Sequence, residues 1–256
     1  MILFILNALK IIFLLGFLIF IHEGGHFLVA KLCKVKVNEF AIGFGPTIWT
    51  KQGKETKYAL RLIPLGGFVS MEGEMEESKE KGSFSEASVP KRMAIVLAGA
   101  FVNIIFGVLV YFLLMSTIGL RFVNEVDDTI INRIYYGWES TVELLKSMLE
   151  SIKMLFTAQV KMEQFTGIVG ISEIVVEATK IYEYIYYLAV ISVSLGVTNL
   201  LPIPALDGGK FVFLVIEAIR RKPLKVETEA KIQLIGFSIL IALSIYVTYN
   251  DIIRIF

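Results

Sequence analysis

The sequence predicts an α-helical polytopic membrane protein with about four transmembrane helices, a small membrane-associated β-meander and an amphipathic outer helix. Three observations lead there. Of the 256 residues 55% are hydrophobic and the mean hydropathy is +0.70, well above the apolar content of an ordinary soluble domain. Four runs approach or exceed the roughly 18 apolar residues that read as a membrane span: Ile2 to Ile21, Met93 to Thr117, Ile181 to Leu201 and the shorter Leu234 to Tyr249. Between these runs the pattern changes to period-two alternation after the first and to helical amphipathic periodicity after the second. The net charge of +1 implies no bulk attraction to nucleic acid, and no basic, aromatic-laced patch stands out.

The first element, residues 1–31, is a helix carrying Ile21-His22-Glu23-Gly24-Gly25-His26 at its end. It lacks the basic n-region and small-residue cleavage site of a secretory signal, so it is expected to be retained. His22 and His26 are the only histidines. Four residues apart on a helix, at ~1.5 Å rise per residue, the two rings share a face and converge on one ion. Glu23 stands beside them, where a carboxylate takes a proton from water attacking a carbonyl; this is the zincin arrangement. Lys10, near the middle of the apolar run, either snorkels towards the outer surface or faces the bundle interior. Gly24 and Gly25 leave bare backbone, room for another helix or for a substrate backbone. Cys33, the single cysteine, excludes an intrachain disulfide and reads as a boundary thiol rather than a ligand.

Residues 32–91 form a β region and a loop. Val35 to Ile42 alternates, Gly43-Phe44-Gly45-Pro46 breaks the pattern, Thr47-Ile48-Trp49 resumes it and Tyr58 to Ile63 is a further strand, closed by Pro64 and Gly66-Gly67. Its aromatic residues suit a meander that dips into the membrane, although a cytosolic hairpin fits the composition equally. Glu72 to Ser88 is charged and reads as a loop. In the second helix, residues 92–117, Gly99, Asn103 and Gly107 recur every four residues as a small-polar-small stripe. Asn103 reads as interhelical glue or, alternatively, as part of the site.

The outer segment, residues 118–180, carries Trp138, Val142, Leu145, Leu149, Ile152 and Phe156 at helical spacing opposite Glu139, Glu143, Lys146, Glu150 and Lys153. A helix lying on the outer leaflet accounts for this; one covering part of the bundle is the alternative. A glycine-punctuated stretch from Phe165 to Ile171 leads into residues 181–256, the third and fourth helices.

A catalytic zinc site usually has three protein ligands, and no third histidine exists. The remaining ligand should be a carboxylate. Asp207 stands alone in Asn199-Leu200-Leu201-Pro202-Ile203-Pro204-Ala205-Leu206-Asp207-Gly208-Gly209, where two prolines and two glycines unwind the backbone between apolar runs. Its other role would be a helix cap. Loop charge sets the expected orientation: eleven Lys and Arg from Lys31 to Arg92 and six in the short Lys210 to Lys231, against six in the longer Ile118 to Tyr182. The positive-inside bias therefore puts the first and third connections and the active site on the cytosolic side, with both termini outside.

Five segments together, His22-Glu23-Gly24-Gly25-His26, Phe40 to Pro46, Ile63 to Val69, the Gly99/Asn103 stripe and Asn199 to Gly209, resemble the site-2 protease family of intramembrane zinc metalloproteases. The nearest branch is the bacterial one that acts in regulated intramembrane proteolysis of anti-sigma factors and remnant signal peptides. The resemblance covers most of the chain, which reads as one 1–256 protease domain. It implies Zn2+ held by His22, His26 and Asp207, Glu23 as general base, Asn199 against the substrate backbone, and the Val35 to Met71 region pairing with an unwound substrate strand. Many relatives carry one or two PDZ domains in the outer loop; about sixty residues here leave no room for one.

The expected function is hydrolysis of a peptide bond within or near the transmembrane segment of a single-pass membrane protein or signal peptide, in the bilayer of a bacterial inner or plasma membrane. A catalytically inactive scaffold or metal-binding membrane protein of the same fold is the alternative, and Glu23 argues against it. A metal transporter would show more polar residues through the helices than Lys10, Asn103 and the proposed site.

Overall fold

The computed structural model describes residues 2–74, 76, 78–119, 127–157, 159 and 166–255. Their order is α1 (Ile2–Leu32), β1 (Val37–Gln52), β2 (Lys57–Met71), α2 (Val89–Ile118), α3 (Ile130–Phe156), α4 (Ile168–Glu177), α5 (Ile181–Asn199), α6 (Asp207–Arg220) and α7 (Val226–Ile255). Four of these helices are long and apolar enough to cross a membrane, over Ile5–Leu32, Val89–Ile118, Ile181–Asn199 and Val226–Arg254, so the polytopic helical architecture expected from hydropathy is present. The helices run past their apolar cores. α7, for instance, begins eight residues before Leu234, because backbone hydrogen bonding continues through the polar Glu227 to Lys231 turns.

The chain divides into two compact units, residues 1–103 with 198–240, and residues 104–197 with 241–256. In the first, α1 has 31 residues, about 46 Å at ~1.5 Å per residue, longer than the ~30 Å hydrocarbon core. It stops in a Schellman turn: Val35 N–H donates to Ala30 O at 2.8 Å and Lys34 N–H to Lys31 O at 3.0 Å, with Lys34 left-handed at φ 60°. The chain then enters the sheet. The pairing is antiparallel at 47–52 against 57–61 and at 37–42 against 67–71, and 39–42 also lie alongside 57–60 in ascending register. Phe40 thus pairs with both Val69 and Tyr58, and Ala41 with both Phe68 and Ala59. Segment 37–42 is interior to the sheet, a detail that alternation along the sequence does not carry. Its inner face is buried: Val37, Phe40, Val69 and Met71 form one core with Ala30 of α1, Phe84, Ile95 of α2 and Leu214 of α6. Cys33 packs at the edge of this core. The other end of the sheet leaves the large apolar side chains of Phe44, Ile48, Trp49 and Leu62 exposed.

In the second unit α3 is capped by Thr129, whose side chain accepts from Asn132 N. Its inward seam is Gly137, Thr141 and Leu144, with Leu144 clustered on Tyr111 of α2 and Ala189 and Val193 of α5. Trp138, Leu149 and Phe156 remain exposed. The helix therefore covers part of this unit through Gly137, Thr141 and Leu144, with Leu145 and Met148 beside them, and leaves Trp138, Leu149 and Phe156 outward. The stretch before α4 begins at Phe165, outside the described residues, and is helical from Ile168. Asp251 of α7, 2% exposed, accepts from Gly167 N at 2.9 Å and Gly170 N at 3.0 Å and so caps α4 from a distant element.

Candidate active site

α1 presents His22 and His26 one turn apart, their Nε2 atoms 3.3 Å from each other. α6 brings Asp207 to both: Oδ2 lies 3.2 Å from His22 Nε2 and 3.5 Å from His26 Nε2. These three are the one group of His, Cys, Asp or Glu side chains able to share a metal among the described residues. His26 Nδ1 sits 2.8 Å from Ile95 O, a carbonyl that can only accept, so the ring proton belongs on Nδ1 and the Nε2 lone pair faces inward. Asp207 Oδ2 and His22 Nδ1 are buried with no hydrogen-bond partner.

The contacts around Oδ2 can be read as an ion pair with protonated histidines or as three lone pairs turned on one point. The Ile95 carbonyl takes the Nδ1 proton of His26, so a neutral ring there turns its Nε2 lone pair to that point. With both rings neutral and the His22 proton likewise on Nδ1, three acceptors this close would repel one another unless a cation lay between them. Tetrahedral zinc with bonds of ~2.0–2.1 Å holds its ligands roughly 3.3–3.4 Å apart, and the triangle here has edges of 3.2, 3.3 and 3.5 Å. The donor set, two imidazoles and a carboxylate, fits that ion.

Local structure explains how each of these side chains arrives. Gly25 and Gly99 let α1 and α2 touch: a Cβ on Gly25 would stand 2.7 Å from Ala98 O, and one on Gly99 would overlap His26 Nε2 and lie 2.9 Å from His22 Cε1. The space expected beside the two motif glycines is therefore divided. α2 fills it at Gly25, and at Gly24 nothing lies within 4 Å. Asp207 is the first residue of α6, not its cap; the N-cap is Leu206, which supplies no side-chain hydrogen bond. The preceding turn folds tightly, with Ala205 left-handed at φ 76° and its N–H donating to Gln233 of α7. Side chains at Gly208 and Gly209 would overlap the carbonyls of Leu200, Leu201 and Ile203, which is why the aspartate is followed by two glycines.

Glu23, next on α1, lies within electrostatic reach of His26, His22, Asp207 and Glu74. The sheet adjoins it: a Cβ on Gly67 of β2 would be 3.1 Å from Glu23 Cγ and 3.0 Å from Ala41 O. The Val35 to Met71 region is thus brought to the site, although the side chains of Pro64 and Leu65 lie outside the described ones. Asn199 ends α5 just before the Leu200–Leu201 carbonyls that pack on Gly208. Asn103 is fully buried in α2, one turn beyond Gly99. The Ile95 carbonyl leaves no trace in residue type, because its role is a backbone one. Lys210 and Glu74 form an ion pair one turn from Asp207, and the spacing of Lys210 from Asp207 is the only signal of it in the sequence.

Comparison with known proteins places these residues in context. A family model described as Peptidase family M50 matches residues 10–243. A protein of Clostridium acetobutylicum named as a zinc metalloprotease is 30% identical over 96% of this chain and 97% of its own length. One of Fusobacterium nucleatum, named in the same way, is 27% identical over 95% and 97%. The regulator of sigma-W protease RasP of Bacillus subtilis is 25% identical over 99% and 100%. The first of these alignments is 331 residues long, so at least 75 positions of that relative have no counterpart in a chain of 256.

Proposed function

Because this chain belongs to peptidase family M50, we propose that His22, His26 and Asp207 hold the zinc of this intramembrane zinc metalloprotease and that Glu23 is its general base. The observation that carries the assignment is the convergence of His22 Nε2, His26 Nε2 and Asp207 Oδ2, separated by 3.2 to 3.5 Å, beside a second carboxylate, Glu23. Held by these three residues, zinc would supply Lewis acidity to the scissile carbonyl and the attacking water. The chain's own residues do the rest. Glu23 takes the proton of the attacking water and returns it to the leaving amine. The Ile95 carbonyl holds the His26 ring in one tautomer, and the Asp207 turn keeps the carboxylate against both rings. Because a helical peptide bond is shielded by its own hydrogen bonds, the substrate must be extended, and the sheet beside Glu23 is suited to pair with it, with Asn199 against its backbone.

The substrates are membrane proteins. The class that fits best is a single-pass protein of the anti-sigma-factor type or a remnant signal peptide, cut near the cytosolic end of its span. The relative named as a regulator of sigma-W supports that choice, and the loop charges support a cytosolic active site with both termini outside. The shortfall of at least 75 positions against one relative supports the absence of a PDZ domain from the outer segment.

The test uses full-length protein in detergent. Asp207→Ala should lose stoichiometric zinc, read by elemental analysis. Glu23→Gln should keep zinc and lose cleavage of a single-span model peptide by about 10²–10⁴-fold. Zinc retained by the first variant, or cleavage at the unaltered rate by the second, would remove the corresponding role.

A further inference from the structure

We propose that Lys210 is a positioning residue for the metal site, acting through Glu74 to hold Asp207 in register with the strand beside Glu23. This rests on the assignment of His22, His26 and Asp207 as zinc ligands. The need for such a residue comes from the start of α6. Asp207 occupies its first position, behind a Leu206 N-cap with no side-chain hydrogen bond, so contacts from outside α6 add to the packing of the preceding turn in holding that carboxylate.

Lys210, one turn on, is placed for this. Its Nζ donates to Glu74 Oε1 at 2.5 Å, and the same ammonium lies 5.1 Å from the centre of the Phe84 ring. Both partners are firmly set. Phe84 is 4% exposed and belongs to the core with Val37, Met71 and Leu214. The second oxygen of Glu74 accepts from Met71 N at 3.3 Å, the last residue of β2. One carboxylate thus grips the end of β2 with one oxygen and the first turn of α6 with the other. Four residues before Met71, β2 passes Glu23 at Gly67.

A second clamp lies on the same face of α6, two turns from Lys210. Glu217 receives both Arg92 Nη1, at 2.9 Å, and Arg92 Nη2. Arg92 lies in the first turn of α2, the helix whose Gly99 abuts His22 and His26. The two ion pairs therefore tie the helix of the acidic ligand to the elements that adjoin the general base and the two imidazoles. Arg92–Glu217 fixes the helix as a whole, and Lys210–Glu74 fixes the turn that bears Asp207. The sequence separation of 136 residues between Glu74 and Lys210 makes this a tertiary device rather than a helix-surface pair.

The experiment follows zinc release from the zinc-loaded full chain in detergent into a chromogenic chelator, with kcat and KM for a single-span model peptide measured alongside. Lys210→Met should release zinc about 10-fold faster and lower kcat about 10-fold while KM stays within about twofold, in the range found when groups that orient metal ligands are removed. Lys210→Arg should restore both. Glu74→Gln, which keeps an acceptor for Met71 N but loses the charge, should lie between and serves if Lys210→Met does not fold. Unaltered release from Lys210→Met or, should it not fold, from Glu74→Gln overturns the proposal, as does failure of Lys210→Arg to restore retention. If the unaltered chain holds no zinc, the ligand assignment itself fails and this inference with it; if it holds zinc and Lys210→Met holds it as long, only this inference falls.

Discussion

Replacing Gly99 by alanine would put a methyl group where His26 Nε2 lies, on a backbone that cannot retreat because Gly25 already touches Ala98 and Gly99. All four site residues would remain, yet zinc affinity should fall by about 10–100-fold, measured by competition with a chelator, since ligand orientation and not ligand identity is disturbed. Gly24 offers the opposite case. With nothing within 4 Å of its added Cβ, Gly24→Ala should keep its zinc and gain up to ~1 kcal/mol of helix stability. If the open side of Gly24 is where the substrate backbone passes, KM for a single-span peptide should rise; an unchanged KM would place the substrate elsewhere.

At the scale of elements, α4 depends on a residue of α7. Asp251 satisfies two of the N–H groups at the start of a ten-residue helix that is too short to be stable alone. Asp251→Ala leaves those donors unpaired and should destabilise the fold by about 1–3 kcal/mol, measured by unfolding in mixed micelles of rising SDS content. Metal content should be unaffected, because Asp251 and α4 lie in the unit that does not contain His22, His26 or Asp207. α3 shows why a hydrophobic pattern alone does not identify a contact face. Of the apolar stripe, Trp138, Leu149 and Phe156 are exposed while Leu145 packs beside Leu144, and the buried seam is Gly137, Thr141 and Leu144.

Over the whole molecule, orientation is a matter of loop charge. With Cys33 replaced by serine, a cysteine at Lys81 should be shielded from a membrane-impermeant maleimide in intact cells and one at Lys146 should react; the reverse pattern would invert the topology. What the sequence could disclose divides along physical lines. The four spans were legible because burial in lipid constrains every residue of a helix at once. That His22 and His26 share a face was legible because their geometry is local to one turn, and Asp207 drew notice because it is an acid in apolar, proline-broken surroundings; the structure brings the three together. The double pairing of Phe40 and Ala41 within the sheet, the Ile95 carbonyl and the shared carboxylate of Glu74 were not, since each depends on which distant backbone arrives beside it. The same distance has a consequence during biosynthesis. The imidazoles leave the ribosome 181 residues ahead of Asp207, which at ~5–20 residues per second is about 10–40 s. With His22, His26 and Asp207 as the proposed ligands, metal loading and the onset of proteolysis are deferred until Asp207, about four-fifths of the way along the chain, has been made.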